Sequence, residues 1–91
     1  MKLIFRIHAI QRMFERKVDT EDVHAILEKS ETIEKYPDDQ PYPSRLILGW
    51  RGKRPLHVVV ADNLKDDELI IVTVYESDAR HWEPDFRRRK R

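Results

Sequence analysis

The sequence predicts an α+β layer, in which a hairpin of two N-terminal helices covers one face of a mostly antiparallel sheet. Three observations carry that expectation. Residues 8–16, His-Ala-Ile-Gln-Arg-Met-Phe-Glu-Arg, take helical spacing directly after a short run of β-formers. A second helical pattern follows a polar break at residues 17–20. Three apolar runs then fill the second half, separated by turns of four and five residues, 52–55 and 63–67, which reads as a meander rather than a crossover sheet.

Taken in order, residues 2–7 carry Ile4, Phe5 and Ile7 and predict the first strand. The first helix is expected from His8 to about Arg16, with Ile10, Met13 and Phe14 toward the core. Asp19 or Thr20 is the expected N-cap of the second helix, with Glu21 and Asp22 favouring the dipole in its first turn. That helix runs to about Lys29 and buries Val23, Ile26 and Leu27. Glu31–Tyr36 is a strand, and the loop Pro37-Asp38-Asp39-Gln40-Pro41-Tyr42-Pro43 can continue neither a helix nor a central strand. Strands are then expected over 45–51, 56–62 and 68–76. Beyond Ser77, Ala79, Trp82 and Phe86 are expected to dock before a mobile basic tail, which divides the chain into a single domain, 1–86, and a tail, 87–91.

Composition narrows the function classes. Of 91 residues, 40% are hydrophobic and 38% charged, with 2 Gly, which describes one globular domain with a heavily charged surface. The absence of Cys excludes disulfides, a thiolate nucleophile and Cys-ligated metals. No apolar run reaches the ~18 residues of a membrane span, and Arg6 and His8 interrupt what would be a signal-peptide core. A cytoplasmic protein with no membrane partner is expected. The net charge of +1 conceals alternating blocks: residues 1–18 and 45–57 are basic, 19–44 and 58–86 acidic, and 87–91 wholly basic. Such a chain can present a basic cleft despite near neutrality.

The candidate chemistry sits on the first helix. His8, Arg12 and Arg16 are four apart and share one helical face, so an imidazole able to exchange a proton near neutrality stands beside two guanidinium clamps for phosphate. That set suits RNA phosphate chemistry; the competing reading is a solvated basic face. His57 and Tyr75 join it only if the face bearing them borders the first helix. Strict alternation groups His57 with Val59 and Ala61, and Tyr75 with Leu69, Ile71 and Thr73. Arg45, Arg51 and Arg54 are candidates for the flanking RNA backbone, and Arg87 and Arg88 of the tail for salt-sensitive attraction to it. Trp50 and Trp82 read as packing residues. The four histidines lie 16, 33 and 24 residues apart, without the close pairs of a zinc site, and no phosphate-binding glycine loop or G-x-S-x-G is present. No metal and no cofactor is expected.

The string His8-Ala9-x-x-Arg12-Met13-x-x-Arg16 resembles a small prokaryotic family of unknown function grouped with the RelE/ParE-like toxins. Val18 and the short acidic helix, Tyr36-Pro37, the strand 44–49, Leu56-His57-Val58-Val59, Thr73-Val74-Tyr75 and the segment 82–89 carry the resemblance along nearly the whole chain. The resemblance implies a curved antiparallel sheet and a cognate antitoxin protein as partner. It also implies a type II toxin acting as a metal-independent endoribonuclease on mRNA, free or on the ribosome. Two other readings stand beside it: a non-catalytic protein-binding module or inactive toxin homologue held by an antitoxin, and a gyrase-inhibiting toxin.

Overall fold

A computed structural model describes residues 1–90; Arg91, the last residue of the expected tail, lies outside the described residues. The elements are β1 (Lys2–Phe5), α1 (Ile7–Arg16), α2 (Thr20–Glu28), β2 (Glu31–Tyr36), β3 (Ser44–Arg51), β4 (Arg54–Asn63) and β5 (Glu68–Glu76). They form an α+β fold in which the five strands make one open sheet ordered β1-β5-β4-β3-β2. Strands β2 to β5 pair antiparallel, as the short turns require, whereas β1 pairs parallel to β5, so the sheet is mixed.

Local chemistry explains each boundary. Asp19 caps α2 through a reciprocal box: its carboxylate accepts from the Asp22 amide at 2.8 Å, and the Asp22 carboxylate accepts from the Asp19 amide at 3.0 Å. The Asp19 amide contact holds the Asp22 carboxyl below its ordinary range. Lys17 ends α1 in the left-handed region (φ 58°), returning its amide to the last turn. Gly52 takes φ 61° at the first centre of the β3–β4 turn, where a side chain would be strained.

The helices lie on one face. Ala9, Met13, Val18, Val23 and Ile26 pack with Ile47, Leu56, Val58, Val60, Leu69, Ile71 and Val74 into a single core. The core face of α1 differs from the one its apolar spacing predicts. Met13 is buried, but Ile10 and Phe14 face solvent, and Ala9 takes the contact because its small side chain lets the helix lie close on the sheet.

Strict alternation also fails in β5. Val59 pairs with Thr73 and Val60 with Ile71, leaving Val72 as an extra residue in a bulge. The bulge turns Val74 to the helix face along with Ile71. Tyr75 is thereby placed on the helix-free face with Ile70, opposite His57. A second bulge at Ile33 of β2 brings Glu31, Glu34 and Tyr36 onto that same face, opposite Leu48, Leu46 and Ser44.

The C-terminal segment is not a free tail. Residues 77–90 fold back over the helix-free face, where Trp82 is buried and bridges to Arg89. Arg87 pairs with Glu31 and Arg89 with Glu34. Ala79 remains exposed. Among the described residues no helix is long and apolar enough to cross a membrane.

Candidate functional site

Two features occupy the helix-free face. The first is an open cleft of about 420 Å³ near the start of α1. Val59, Ala61 and Val72 lie along it, Tyr42 and Pro41 of the β2–β3 loop flank them, and Arg6 and His8 bring an adjacent cation and imidazole. Asp39 and Ser44 also line it, and the Ser44 hydroxyl donates to the Asp39 carboxylate. Arg6 is the N-cap of α1 and provides no side-chain acceptor for the first turn, which carries no acid. The amides of Ile7, His8 and Ala9 lack intrahelical acceptors, as at any helix start, and together with the helix dipole they favour an anion.

The second feature is sealed. His57 is completely buried beneath the C-terminal segment, with its ring 4.2 Å from Trp82 and 5.4 Å from Tyr75 between centroids. Its Nε2 donates to the Phe86 carbonyl at 2.9 Å, while Nδ1 has no hydrogen-bond partner among the described residues. Burial pushes the His57 imidazole below its ordinary value, and the Phe86 contact acts against that push. Burial likewise raises the Tyr75 phenol. Nearby, the Tyr36 hydroxyl donates to Glu34 and holds that carboxyl down, and Arg89 reinforces it. Trp50 is half-exposed and meets Phe86 edge-to-face at 5.9 Å.

The structure therefore brings His57 and Tyr75 together but divides the expected ensemble. His8 is exposed and stands at the cleft; His57 lies under the C-terminal segment, two residues along β4 from the cleft residue Val59. Arg12 donates to Glu15 at 3.0 Å on the helix surface. Arg16 borders a separate shallow hollow with Glu76, Asp78 and Arg80, in which hydrogen bonds from Arg80 hold Asp78 at about 2.

The flanking arginines are engaged within the fold. Arg45 pairs with Asp62 at 3.1 Å and donates to Thr32, on the helix side of the sheet. Arg51 pairs with Asp22 and donates to the Lys17 carbonyl, and Arg54 pairs with Glu76 and donates to the Arg16 carbonyl. These contacts tie β3 and β4 to the helix connection. Arg87 pairs with Glu31 and Arg88 with Asp85.

Sequence reasoning missed Arg6, Tyr42 and Ser44 at the cleft and Glu34, Tyr36 and Arg89 around His57. Arg6 had a usable signal, because a cation at a strand-to-helix junction lies beside a helix N-terminus. The others reach their places through tertiary folding alone. Among the described residues no group of three His, Asp or Glu side chains gathers where it could hold a metal ion.

The family model described as "Domain of unknown function (DUF4258)" matches residues 5–76. Neither a curated protein nor a solved structure matches the chain.

Proposed function

The chain belongs to the DUF4258 family, and from that membership and the cleft at α1 we propose that it is a RelE/ParE-like toxin of a type II pair, cleaving RNA without a metal ion in the cytoplasm and neutralised by an antitoxin. The observation that carries the reading is the juxtaposition of Arg6, His8 and the α1 N-terminus beside an open, apolar-lined cleft. An RNA phosphate sits at the helix start, with Arg6 and the first-turn amides on its non-bridging oxygens, and the adjoining base lies along Val59, Val72 and Tyr42.

The reaction follows from those placements. The His8 imidazole takes the 2′-hydroxyl proton, the 2′-oxygen bonds to phosphorus, and the bond from phosphorus to the 5′-oxygen breaks. The departing 5′-oxygen takes a proton from water in the open cleft, leaving a 2′,3′-cyclic phosphate. Arg12 joins the phosphate by giving up Glu15, because an exposed pair of this kind is worth under about 1 kcal/mol. Arg16 extends the same helix face toward the next phosphate. His57 and Tyr75 lie out of reach beneath the C-terminal segment, and Arg45, Arg51 and Arg54 serve the fold.

The test is incubation of the full chain with 5′-labelled single-stranded RNA in the presence of a chelator. Position-specific cuts ending in cyclic phosphate are expected, and His8→Ala slows them by about 10²–10³-fold. RNA left intact, or cut equally by His8→Ala, overturns the proposal. One observation favours a second reading, a non-catalytic module that binds a protein. Ile7, Ile10 and Phe14, 76%, 51% and 86% exposed, form an apolar stripe on the solvent side of α1. Intact RNA together with a stable protein complex broken by Phe14→Ser would support that reading.

A further inference from the structure

We propose that residues 77–90 are a displaceable strap filling a second subsite, formed by His57, Tyr75 and Trp50, and that this subsite takes an unpaired nucleobase of single-stranded RNA. The inference rests on the RNA reading of the cleft and extends it.

His57, Val59 and Ala61 project from one face of β4, and the latter two line the cleft while the first lies under Trp82. One groove thus runs on beneath the strap. The strap's contacts are of the kinds a base would make: an aromatic ring packed against the imidazole at 4.2 Å, tilted by 55°, and a carbonyl oxygen accepting from Nε2 at 2.9 Å. Uracil, guanine and cytosine carry both groups, and adenine lacks the carbonyl.

The strap is also built to move as a unit. Internally it is joined by the Trp82–Arg89 bridge, by the Glu83 amide to the Arg88 carbonyl at 2.8 Å and by the Lys90 amide to the His81 carbonyl at 2.9 Å. Arg89 stacks 4.6 Å over Trp82. Its ionic attachment to the sheet is through Arg87–Glu31 and Arg89–Glu34, pairs whose side chains are 31–56% exposed. The closed state leaves His57 Nδ1 buried and unpaired among the described residues, a polar atom the docked strap does not satisfy. Finally, the family match ends at Glu76, so the strands forming the subsite lie within it and the strap lies outside it.

The test uses the full chain and its Glu31→Gln/Glu34→Gln variant, which loosens the strap while keeping every basic residue. Strap opening is read without RNA, from exchange of the Glu83 and Lys90 amides and from carbethoxylation of His57 mapped by mass spectrometry. RNA occupancy is read as affinity for hexauridylate against the dinucleotide UpU. The expected result is that strap amides exchange faster than β4 amides and that the variant raises His57 modification about three- to tenfold. Its affinity for hexauridylate rises by a similar factor, with UpU unchanged. Strap amides that exchange only with β4 overturn the displaceable strap. UpU binding without a hexauridylate gain in the loosened variant overturns the subsite while leaving the cleft intact. Absence of binding to either RNA overturns the nucleobase occupant together with the cleft reading.

Discussion

Gly49→Ala tests how the helical layer is seated on the sheet. A Cβ built at Gly49 would lie 2.0 Å from Ile26 Cγ2, 3.2 Å from Ile26 Cβ and 3.4 Å from the Ile26 carbonyl oxygen. Carbon atoms in contact prefer about 3.5–4.0 Å, so the nearest pair would overlap by roughly 1.5–2 Å. Turning the Ile26 side chain does not clear the contact, because its Cβ and backbone oxygen are also close and its branched Cβ restricts the rotamers. The remaining response is for α2 to lift from β3. Overpacking of this kind costs typically 1–3 kcal/mol, and the backbone contact argues for the upper end, about 3 kcal/mol. A domain of this size has a total stability of roughly 5–14 kcal/mol, so the variant still folds. With a urea slope near 1.5 kcal/mol/M, the midpoint falls by about 2 M. Urea unfolding followed by circular dichroism reads the shift, and Ile26→Ala in the same chain should recover at least about 1 kcal/mol of the penalty by coupling. A loss below about 0.5 kcal/mol with an unchanged slope would refute the close seating of α2 on β3.

Arg45→Leu is expected to lower stability by about 1–2 kcal/mol while leaving RNA affinity unchanged, since it leaves Asp62 without its guanidinium; unchanged stability with weakened RNA binding would return Arg45 to the RNA surface. Phe14→Ser should change the unfolding free energy by less than about 0.5 kcal/mol, because the ring is solvent-exposed; a larger loss means that α1 packs differently. Burial holds the folded His57 below its ordinary 6.5, so the unfolded chain binds the extra proton between the two values. The stabilisation is complete above pH 6.5 and is lost as pH falls from there through the folded value. Urea midpoints measured between pH 7.5 and 5 should fall accordingly, and His57→Gln should flatten that fall; an identical slope in the variant would contradict a neutral, sealed imidazole.

Patterns whose causes are local were legible in the sequence. The Asp19 cap, the polar turns and the bounds of β2 and β5 follow from residues adjacent along the chain. The faces were harder. Bulges at Ile33 and Val72 each shift one side chain, so Glu31 and Glu34 share a face and Tyr75 turns away from Ile71, which strict alternation does not allow. On α1, apolar residues occur on opposite sides, and spacing does not say that small Ala9 would be chosen over Ile10 and Phe14. The basic run 87–91 reads as solvated because its partners Glu31 and Glu34 lie 56 and 55 residues away. His8 was legible as a candidate from its place on the helix, whereas the cleft beside it needs a loop that pattern reading treats only as a break.

RNA binding at the α1 cleft is tested most directly by an NMR titration of the full chain with UpU, following the His8 ring, the amides of residues 7–9, the Tyr42 ring and the methyls of Val59 and Val72. Saturable shifts confined to those groups are expected, and they are lost in a combined Arg6→Ala/His8→Ala variant. Saturating UpU that leaves them unmoved, or shifts confined to the Ile7, Ile10 and Phe14 stripe, would contradict binding at the cleft.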